Sequence, residues 1–144
     1  MNKSLLSSDK MDWATPQKFF DDLNEEFGFT VDVCASDWNA KIKRFWSVSD
    51  DSLSLSWRGE VCFMNPPYGR DIKHWVKKAY EESLKGAVVV GLIPSRTDTS
   101  YWHDYIQDKA EVRFIRGRLK FERPEGASDP APFPSAIIIW RGIN

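Results

Sequence analysis

The sequence predicts an α/β fold, in which helices flank one open sheet in a single domain. Three observations lead to this fold class. Apolar runs of strand length recur, amphipathic segments of helical spacing separate them, and the elements follow the order helix–strand–strand–helix–strand–helix–strand–strand. The chain has 144 residues, which is a common size for one domain.

The first predicted element follows a flexible N-terminal arm of residues 1–12, so that the domain comprises residues 13–144. Thr15 is typical of a helix N-cap and Pro16 of the first helical position. Apolar residues then recur at helical spacing, and Gly28 is typical of the residue that ends a helix. The sequence therefore predicts a helix between Thr15 and Gly28.

The next segments predict two strands separated by a polar stretch. Phe29–Ala35 is apolar and β-branched, although Asp32 interrupts its pattern. Ser36–Ser56 is polar and predicts no definite element. Glu60–Met64 predicts a second strand, and the two prolines of Asn65-Pro66-Pro67-Tyr68 force the chain out of the sheet directly after it.

The middle of the chain predicts a helix, a buried strand and a short helix. Apolar side chains mark one helical face from Ile72 to Leu84, and Gly86 follows. Ala87–Ile93 is almost continuously apolar, as in strands buried on both faces of a parallel sheet. A short helix is expected after Thr97–Ser100.

The last part of the chain predicts a half-exposed strand and a buried one. Polar and apolar residues alternate along Glu111–Phe121, which indicates a single strand or a hairpin that bends at Gly117. The proline-rich segment Glu122–Pro134 predicts a loop. Ala136–Trp140 is apolar and completes the sheet.

Composition excludes several classes of protein. The formal net charge is -1, with 28% charged and 42% hydrophobic residues, which is ordinary for a folded globular chain. No apolar run approaches the roughly 20 residues that cross a bilayer, so no membrane contact is expected. Two cysteines, Cys34 and Cys62, are too few for a zinc site, and no metal is predicted. An intracellular, cytoplasmic protein is the simplest interpretation.

A local excess of basic residues lies near the C-terminal end of the chain. Such an edge on a neutral protein can bind phosphates, although a solvated surface strand is the interpretation that charge alone favours. The excess comprises six residues, Lys109, Arg113, Arg116, Arg118, Lys120 and Arg123.

The segment Asn65-Pro66-Pro67-Tyr68 carries the clearest chemical signal. Ligands of open α/β sheets bind beyond the carboxyl ends of the strands, where this segment falls. The Asn65 side-chain oxygen and a main-chain carbonyl of this segment can accept the two hydrogens of an exocyclic amino group, and Tyr68 offers a ring on which a base can stack. A proline-rich turn with no ligand is the alternative.

The chain resembles the phage-type DNA N6-adenine methyltransferases, which use S-adenosylmethionine, over residues 12–141. Asn-Pro-Pro-Tyr at a strand end is the catalytic motif of amino-group methyltransferases, and the other motifs occur in the order of the family. These motifs are Trp13-Ala14-Thr15-Pro16, Asp32-Val33-Cys34-Ala35-Ser36, Asn39-Ala40-Lys41, Asn65-Pro66-Pro67-Tyr68-Gly69, Leu92–Thr99, Gly117–Phe121 and Pro132–Ala136.

The resemblance implies a truncated Rossmann-like methyltransferase sheet and methyl transfer from S-adenosylmethionine to adenine N6 in DNA. The adenine cannot be reached inside a duplex and is expected to be flipped out. Asn65, Pro66, Pro67 and Tyr68 are then the catalytic residues. Two alternatives remain, namely an N4-cytosine or other amino or amide methyltransferase, and a catalytically silent DNA- or cofactor-binding module of the same fold.

Cofactor contacts are also implied by the resemblance, in a chain that has no G-x-G turn. The small residues Ala35 and Ser36 would allow close backbone approach, and Asp32 would either bind the cofactor or cap a neighbouring loop. Asp51 would accept from the cofactor's adenine amino group or lie in a solvated turn. The implied set is Trp13, Thr15, Pro16, Asp32, Cys34, Ala35, Ser36, Asp51 and Asn65.

Contacts to DNA are expected from hydroxyl and cationic side chains after the third predicted strand and on the basic edge. The chain is too short for a separate recognition domain, so sequence readout would come from Ser36–Ser56 and Glu122–Pro134 or from the second subunit of a homodimer. A phage or prophage origin is implied. The expected nucleic-acid contacts are Arg96, Thr97, Thr99, Tyr101, Arg118 and Lys120.

Overall fold

The computed structural model describes residues 13–124 and 128–142, so the arm predicted for residues 1–12 lies outside the described part. The described helices and strands confirm an α/β fold. In chain order they are α1 (Gln17–Phe27), β1 (Val31–Asp32), β2 (Val61–Met64), α2 (Ile72–Leu84), β3 (Val88–Pro94), α3 (Ser100–Tyr105), β4 (Glu111–Phe114), β5 (Lys120–Glu122), β6 (Ser128–Pro130) and β7 (Ser135–Trp140).

The main sheet has five strands in the order β1-β2-β3-β7-β4. Strands β1, β2 and β3 are parallel, whereas β7 runs antiparallel to both of its neighbours. Cys62 lies opposite Val31 on one side and Val89 on the other, so β2 is an interior strand. The residues of β7 are all buried, as the apolar run predicts.

At helix α1, the predicted C-terminal end is confirmed and the predicted N-cap is wrong. Gly28 ends the helix with a left-handed φ of 66°, and its N–H donates to the Asn24 carbonyl. At the other end, Pro16 occupies the cap position and no side chain caps the helix. Thr15, the predicted N-cap, instead directs its hydroxyl to Asn65.

Two strand predictions are corrected by the structure. The strand expected over Phe29–Ala35 is reduced to the two residues of β1. Neither the single strand nor the hairpin expected over Glu111–Phe121 forms, since β4 pairs with β7 in the main sheet whereas β5 pairs with β6 in a separate two-stranded sheet. Strand β6 lies within Glu122–Pro134, which was expected to be entirely loop.

The parallel strands bring three loops to one edge of the sheet. The segments that follow β1, β2 and β3 all leave from carboxyl ends, which is the edge where open α/β sheets bind ligands. Ala14 pairs with Glu122 beside this edge, which ties the chain before α1 to β5. Within the described ranges, no helix is long and apolar enough to cross a membrane.

Candidate active site

The segment after β2 leaves the sheet at Asn65, as the two prolines require. Pro66 is buried, whereas Asn65 and Pro67 are half-buried. No described residue donates a hydrogen bond to the Pro66 carbonyl oxygen. The backbone therefore presents an acceptor at the predicted position.

The Asn65 side chain is held from both ends. Its Nδ2 donates to the Thr15 hydroxyl at 3.2 Å, and its Oδ1 accepts from the Tyr68 hydroxyl at 2.6 Å. Thr15 is buried and Asn65 is half-buried, so this contact is partly shielded from water. In this orientation of the amide, the oxygen keeps a second lone pair with which to accept another hydrogen.

Tyr68 is enclosed, in contrast to the open stacking surface that was predicted. The residue is 4% exposed, and its ring makes edge-on contacts with Phe121 at 6.2 Å and Phe133 at 5.4 Å. Its hydroxyl also lies 3.0 Å from the Leu92 carbonyl, so one proton serves either Asn65 or Leu92. Burial raises the pKa of Tyr68 well above its usual value, which keeps the hydroxyl neutral and able to donate.

A cavity of about 270 Å³ lies against this segment. Its walls are formed by the residues directly after β1, Val33–Ala35, by residues of the segment 46–53, by Pro67 and Asp71, and by Trp75 of α2. Val48 is 79% exposed on the rim, so the cavity opens to solvent. Pro67 is the residue that the cavity and the Asn-Pro-Pro-Tyr segment share.

Three of the nine predicted cofactor residues line this cavity, namely Cys34, Ala35 and Asp51. The other six do not, and they are Trp13, Thr15, Pro16, Asp32, Ser36 and Asn65. The sequence missed Trp46, Val48, Leu53 and Trp75, which supply apolar wall. The aromatic residues within the polar stretch 36–56 were the only signal that this segment could carry such a wall.

Asp51 occupies a strained position at the cavity. Its φ of 50° lies in the left-handed region, which is uncommon for a residue other than glycine. Hydrogen bonds of its backbone to Val48 and Ser54 maintain this conformation between two short turns. Strain of this kind concentrates at functional sites, and it leaves the exposed carboxylate on the cavity wall.

Asp32 braces a loop instead of facing the cavity. Its two carboxyl oxygens accept from the backbone N–H groups of Cys34 at 3.3 Å and Lys41 at 3.2 Å, and the residue is 2% exposed. Burial raises the pKa of this carboxyl from 3.8 to about 7, although both hydrogen bonds oppose the rise. The loop-capping alternative is therefore the arrangement in the structure.

Asp32→Asn is expected to reduce the pH dependence of stability between about pH 4 and about pH 7. In that window the folded carboxyl keeps a proton that the unfolded chain has lost, so the unfolding free energy of the wild type falls as pH rises. Asparagine cannot ionise and lacks this contribution. Urea denaturation of both proteins across the window measures the difference, and identical slopes would contradict the expectation.

Ser36 and Trp13 do not line the cavity, and they are linked to each other through the side chain of Asn39. The Ser36 N–H and hydroxyl both donate to Asn39 Oδ1, at 2.7 and 3.1 Å. Asn39 Nδ2 in turn donates to the Trp13 carbonyl at 3.1 Å. The Trp13 ring stacks on Phe121 at 5.5 Å, which is the same ring that contacts Tyr68.

The residues predicted to contact DNA divide into exposed and buried groups. Arg96, Thr97, Arg118 and Lys120 are exposed, whereas Tyr101 is buried and does not present its side chain to a ligand. Thr99 caps α3, because its hydroxyl accepts from the Trp102 N–H at 3.3 Å. The prediction for Tyr101 therefore disagrees with its position in the structure.

Arg96 connects the exposed group to Tyr68. Its guanidinium donates to the Tyr68 carbonyl at 3.4 Å and lies 5.8 Å from the centre of the Phe133 ring. On the basic edge, Arg113 is paired with both oxygens of Glu26, at 2.7 and 2.8 Å, as expected for an ordinary surface residue. Arg96 thus lies beside the predicted base site, whereas Arg113 is already neutralised.

A family model and a curated relative both indicate one family. The model of the DNA N-6-adenine-methyltransferase (Dam) family matches residues 2–144. The DNA N-6-adenine-methyltransferase of Haemophilus phage HP1 (strain HP1c1) is 30% identical over 138 residues, which cover 92% of this chain and 80% of the relative. The crystal structure of Thermoplasma acidophilum 1320 matches 69% of this chain with a TM-score of 0.40 and 17% identity, and this chain spans 54% of that structure's length.

Proposed function

We propose a mechanism for a chain that belongs to the DNA N-6-adenine-methyltransferase (Dam) family and is therefore a DNA methyltransferase specific for adenine N6. The methyl donor in this proposal is S-adenosylmethionine, and the target adenine is turned out of the DNA. The observation that carries the proposal is the cavity that shares Pro67 with the Asn-Pro-Pro-Tyr segment. The proposed site of the methyl donor thereby lies next to the proposed site of the target adenine.

The residues of the cavity fit an adenosyl group. Val33, Trp46 and Trp75 supply apolar wall for the ring system, and the small Cys34 and Ala35 allow close approach to the backbone without a glycine turn. The exposed Asp51 carboxylate is suited to accept a hydrogen bond from an amino or ribose hydroxyl group. When bound, S-adenosylmethionine supplies a methyl group made electrophilic by the sulfonium.

Asn65 and Pro66 are proposed to make the adenine nitrogen nucleophilic. The N6 lone pair is delocalised into the ring, which makes it a poor nucleophile. Acceptance of its two hydrogens by Asn65 Oδ1 and the Pro66 carbonyl favours a pyramidal nitrogen whose lone pair is available. The same two oxygens stabilise the positive charge that develops at this nitrogen, and because both are held in place beforehand, little reorganisation is needed.

Tyr68 is proposed to form one side of the base site after its ring is uncovered. In this structure the Phe133 ring packs edge-on against it, and the Arg96 guanidinium lies over Phe133. Arg96 is exposed, so a DNA phosphate can draw its guanidinium away from the Tyr68 carbonyl and the Phe133 ring. Binding of the DNA backbone by Arg96, Thr97, Arg118 and Lys120 would then accompany the opening of the site.

The proposed setting is the cytoplasm of a bacterial host, for an enzyme encoded by a phage or prophage. The relative from phage HP1 supports this origin. Sequence readout is proposed to come from the loops around the site or from a second copy of the chain. The N4-cytosine alternative lacks comparable support, because both the family and the phage relative are described by adenine N6.

Two measurements test the proposal. Calorimetry with S-adenosylmethionine and with its demethylated product is expected to show specific binding of both compounds. Mass analysis of nucleosides from DNA treated with the protein is expected to show N6-methyladenine. Absence of binding would overturn the choice of donor, and N4-methylcytosine as the product would overturn the proposed base.

A further inference from the structure

The cavity wall formed by residues 47–54 is a segment outside both sheets. It consists of two short turns, Val48–Asp50 and Ser52–Ser54, joined at the strained Asp51. The first turn is closed by its own Ser47–Asp50 capping box. Local hydrogen bonds give the segment its shape, but its distance from the opposite wall must be set by contacts to the rest of the fold.

One end of this segment is fastened to β1 through the backbone. The Trp46 N–H donates to the Asp32 carbonyl at 2.9 Å, and the Trp46 carbonyl accepts from Ala35 at 3.1 Å. The other end, from Ser52 to Trp57, pairs with no strand among the described residues and is held by side chains instead.

Helix α2 supplies the second attachment through Lys78 and Glu82. Lys78 Nζ donates to the Leu55 carbonyl at 2.6 Å, and Glu82 Oε1 accepts from the Trp57 N–H at 2.6 Å. Lys78 and Glu82 also pair with each other at 3.5 Å. The fully buried Trp57 ring then donates from Nε1 to the Ser52 carbonyl at 3.0 Å, which carries the attachment into the cavity wall.

Charge and burial make this attachment strong. Glu82 is 3% exposed. Its burial would raise the pKa of the carboxyl, but the Trp57 N–H and the ammonium groups of Lys78 and Lys85 together lower it. Hydrogen bonds to buried charged groups are among the stronger ones in proteins, and a buried charge that loses its partner is costly. The Lys78 ammonium also lies 5.6 Å from the Trp57 ring centre.

We propose that Lys78 and Glu82 are positioning residues for S-adenosylmethionine, which hold the wall of residues 47–54 at the distance from Pro67 and Trp75 that the cofactor requires. This inference rests on the proposed function of the cavity. Neither side chain lines the cavity, so both act through Leu55, Trp57 and Ser52. Looser attachment lowers the fraction of molecules whose cavity is shaped for binding, and the apparent affinity falls in proportion.

Lys78→Met tests the proposal, because methionine keeps the apolar stem and removes the ammonium. Calorimetry is expected to show an increase of about tenfold in the Kd for S-adenosylmethionine, with kcat at saturating cofactor nearly unchanged. In the free protein, hydrogen exchange at the Trp57 amide is expected to accelerate, a readout that needs neither cofactor nor DNA. Lys78→Arg, which keeps the charge, is expected to restore much of the affinity.

Lys85→Met is the matched control. Lys85 also lies 3.5 Å from Glu82, but it is 67% exposed and makes no hydrogen bond to the segment 47–57. Its loss is expected to change cofactor affinity and exchange at Trp57 much less than the loss of Lys78 does. Glu82→Gln, which retains an oxygen for the Trp57 N–H, provides a second variant should Lys78→Met fold poorly, and it too is expected to weaken cofactor binding.

The outcomes separate the two proposals. A wild-type protein that does not bind S-adenosylmethionine would refute the proposed donor. A wild type that binds it, with Lys78→Met and Glu82→Gln both folded and equal to the wild type in affinity, would refute the positioning role alone. An equal loss in Lys78→Met and Lys85→Met would also refute it, because a general effect of surface charge would then explain the result.

Discussion

Asn65→Ala is expected to lower kcat by about 100- to 1,000-fold, which is the usual cost of removing one oriented group that stabilises a transition state. The side chain is half-buried, held by Thr15 and Tyr68, and does not line the cavity. Its loss therefore removes an acceptor for the adenine amino group and leaves the cofactor walls intact. The affinity for S-adenosylmethionine, measured by calorimetry, is expected to stay nearly unchanged.

Two variants serve as controls for the Asn65 experiment. Asn65→Asp keeps oxygen acceptors at the same place and is expected to retain more activity than Asn65→Ala. Thr15→Val removes only the partner of Nδ2 and is expected to add little when combined with Asn65→Ala, since Thr15 acts through that amide. A parallel loss of cofactor affinity and turnover in Asn65→Ala would contradict the assignment to the base, and would return Asn65 to the predicted cofactor set.

The central part of the fold could be predicted because its elements carry long, regular patterns. Helix α2 and strands β2, β3 and β7 follow from apolar periodicity and from the prolines and glycines that end them. The second sheet could not be predicted in this way. Strands β5 and β6 have three residues each, and they form by pairing across a proline-rich segment, a tertiary contact that no local pattern records.

Part of the candidate site could likewise be predicted from local sequence, and part could not. The position of Asn65 after β2 follows from the Pro-Pro step, and Asp51, for which a cofactor contact and a solvated turn were both open, lines the cavity. The contact between Thr15 and Asn65 joins residues 50 positions apart, so spacing could not reveal it. Asp32 shows a further limit, since a carboxylate inside an apolar segment is equally consistent with a ligand contact and with a loop brace until its partners are known.

Tyr68→Ala is expected to lower the unfolding free energy by about 3–5 kcal/mol, as for other buried aromatic residues replaced by alanine. The ring is 4% exposed and packs between Phe121 and Phe133, so its removal leaves a cavity that these rings cannot easily fill. Urea denaturation measures this loss. Under conditions where the variant remains folded, methylation is also expected to fall, because stacking on an aromatic ring is worth roughly 1–3 kcal/mol per base.

Tyr68→Phe separates the ring from the hydroxyl. It keeps the packing and the stacking surface, and it loses the contacts to Asn65 and Leu92, so a loss of about 1 kcal/mol in stability is expected. If the base stacks on this ring, the KM for DNA rises in Tyr68→Ala and stays close to the wild-type value in Tyr68→Phe. If Tyr68 serves only to orient the Asn65 amide, both variants lower kcat and neither changes the KM for DNA. That second pattern would show that the ring stays enclosed during catalysis and would exclude Tyr68 from the base site.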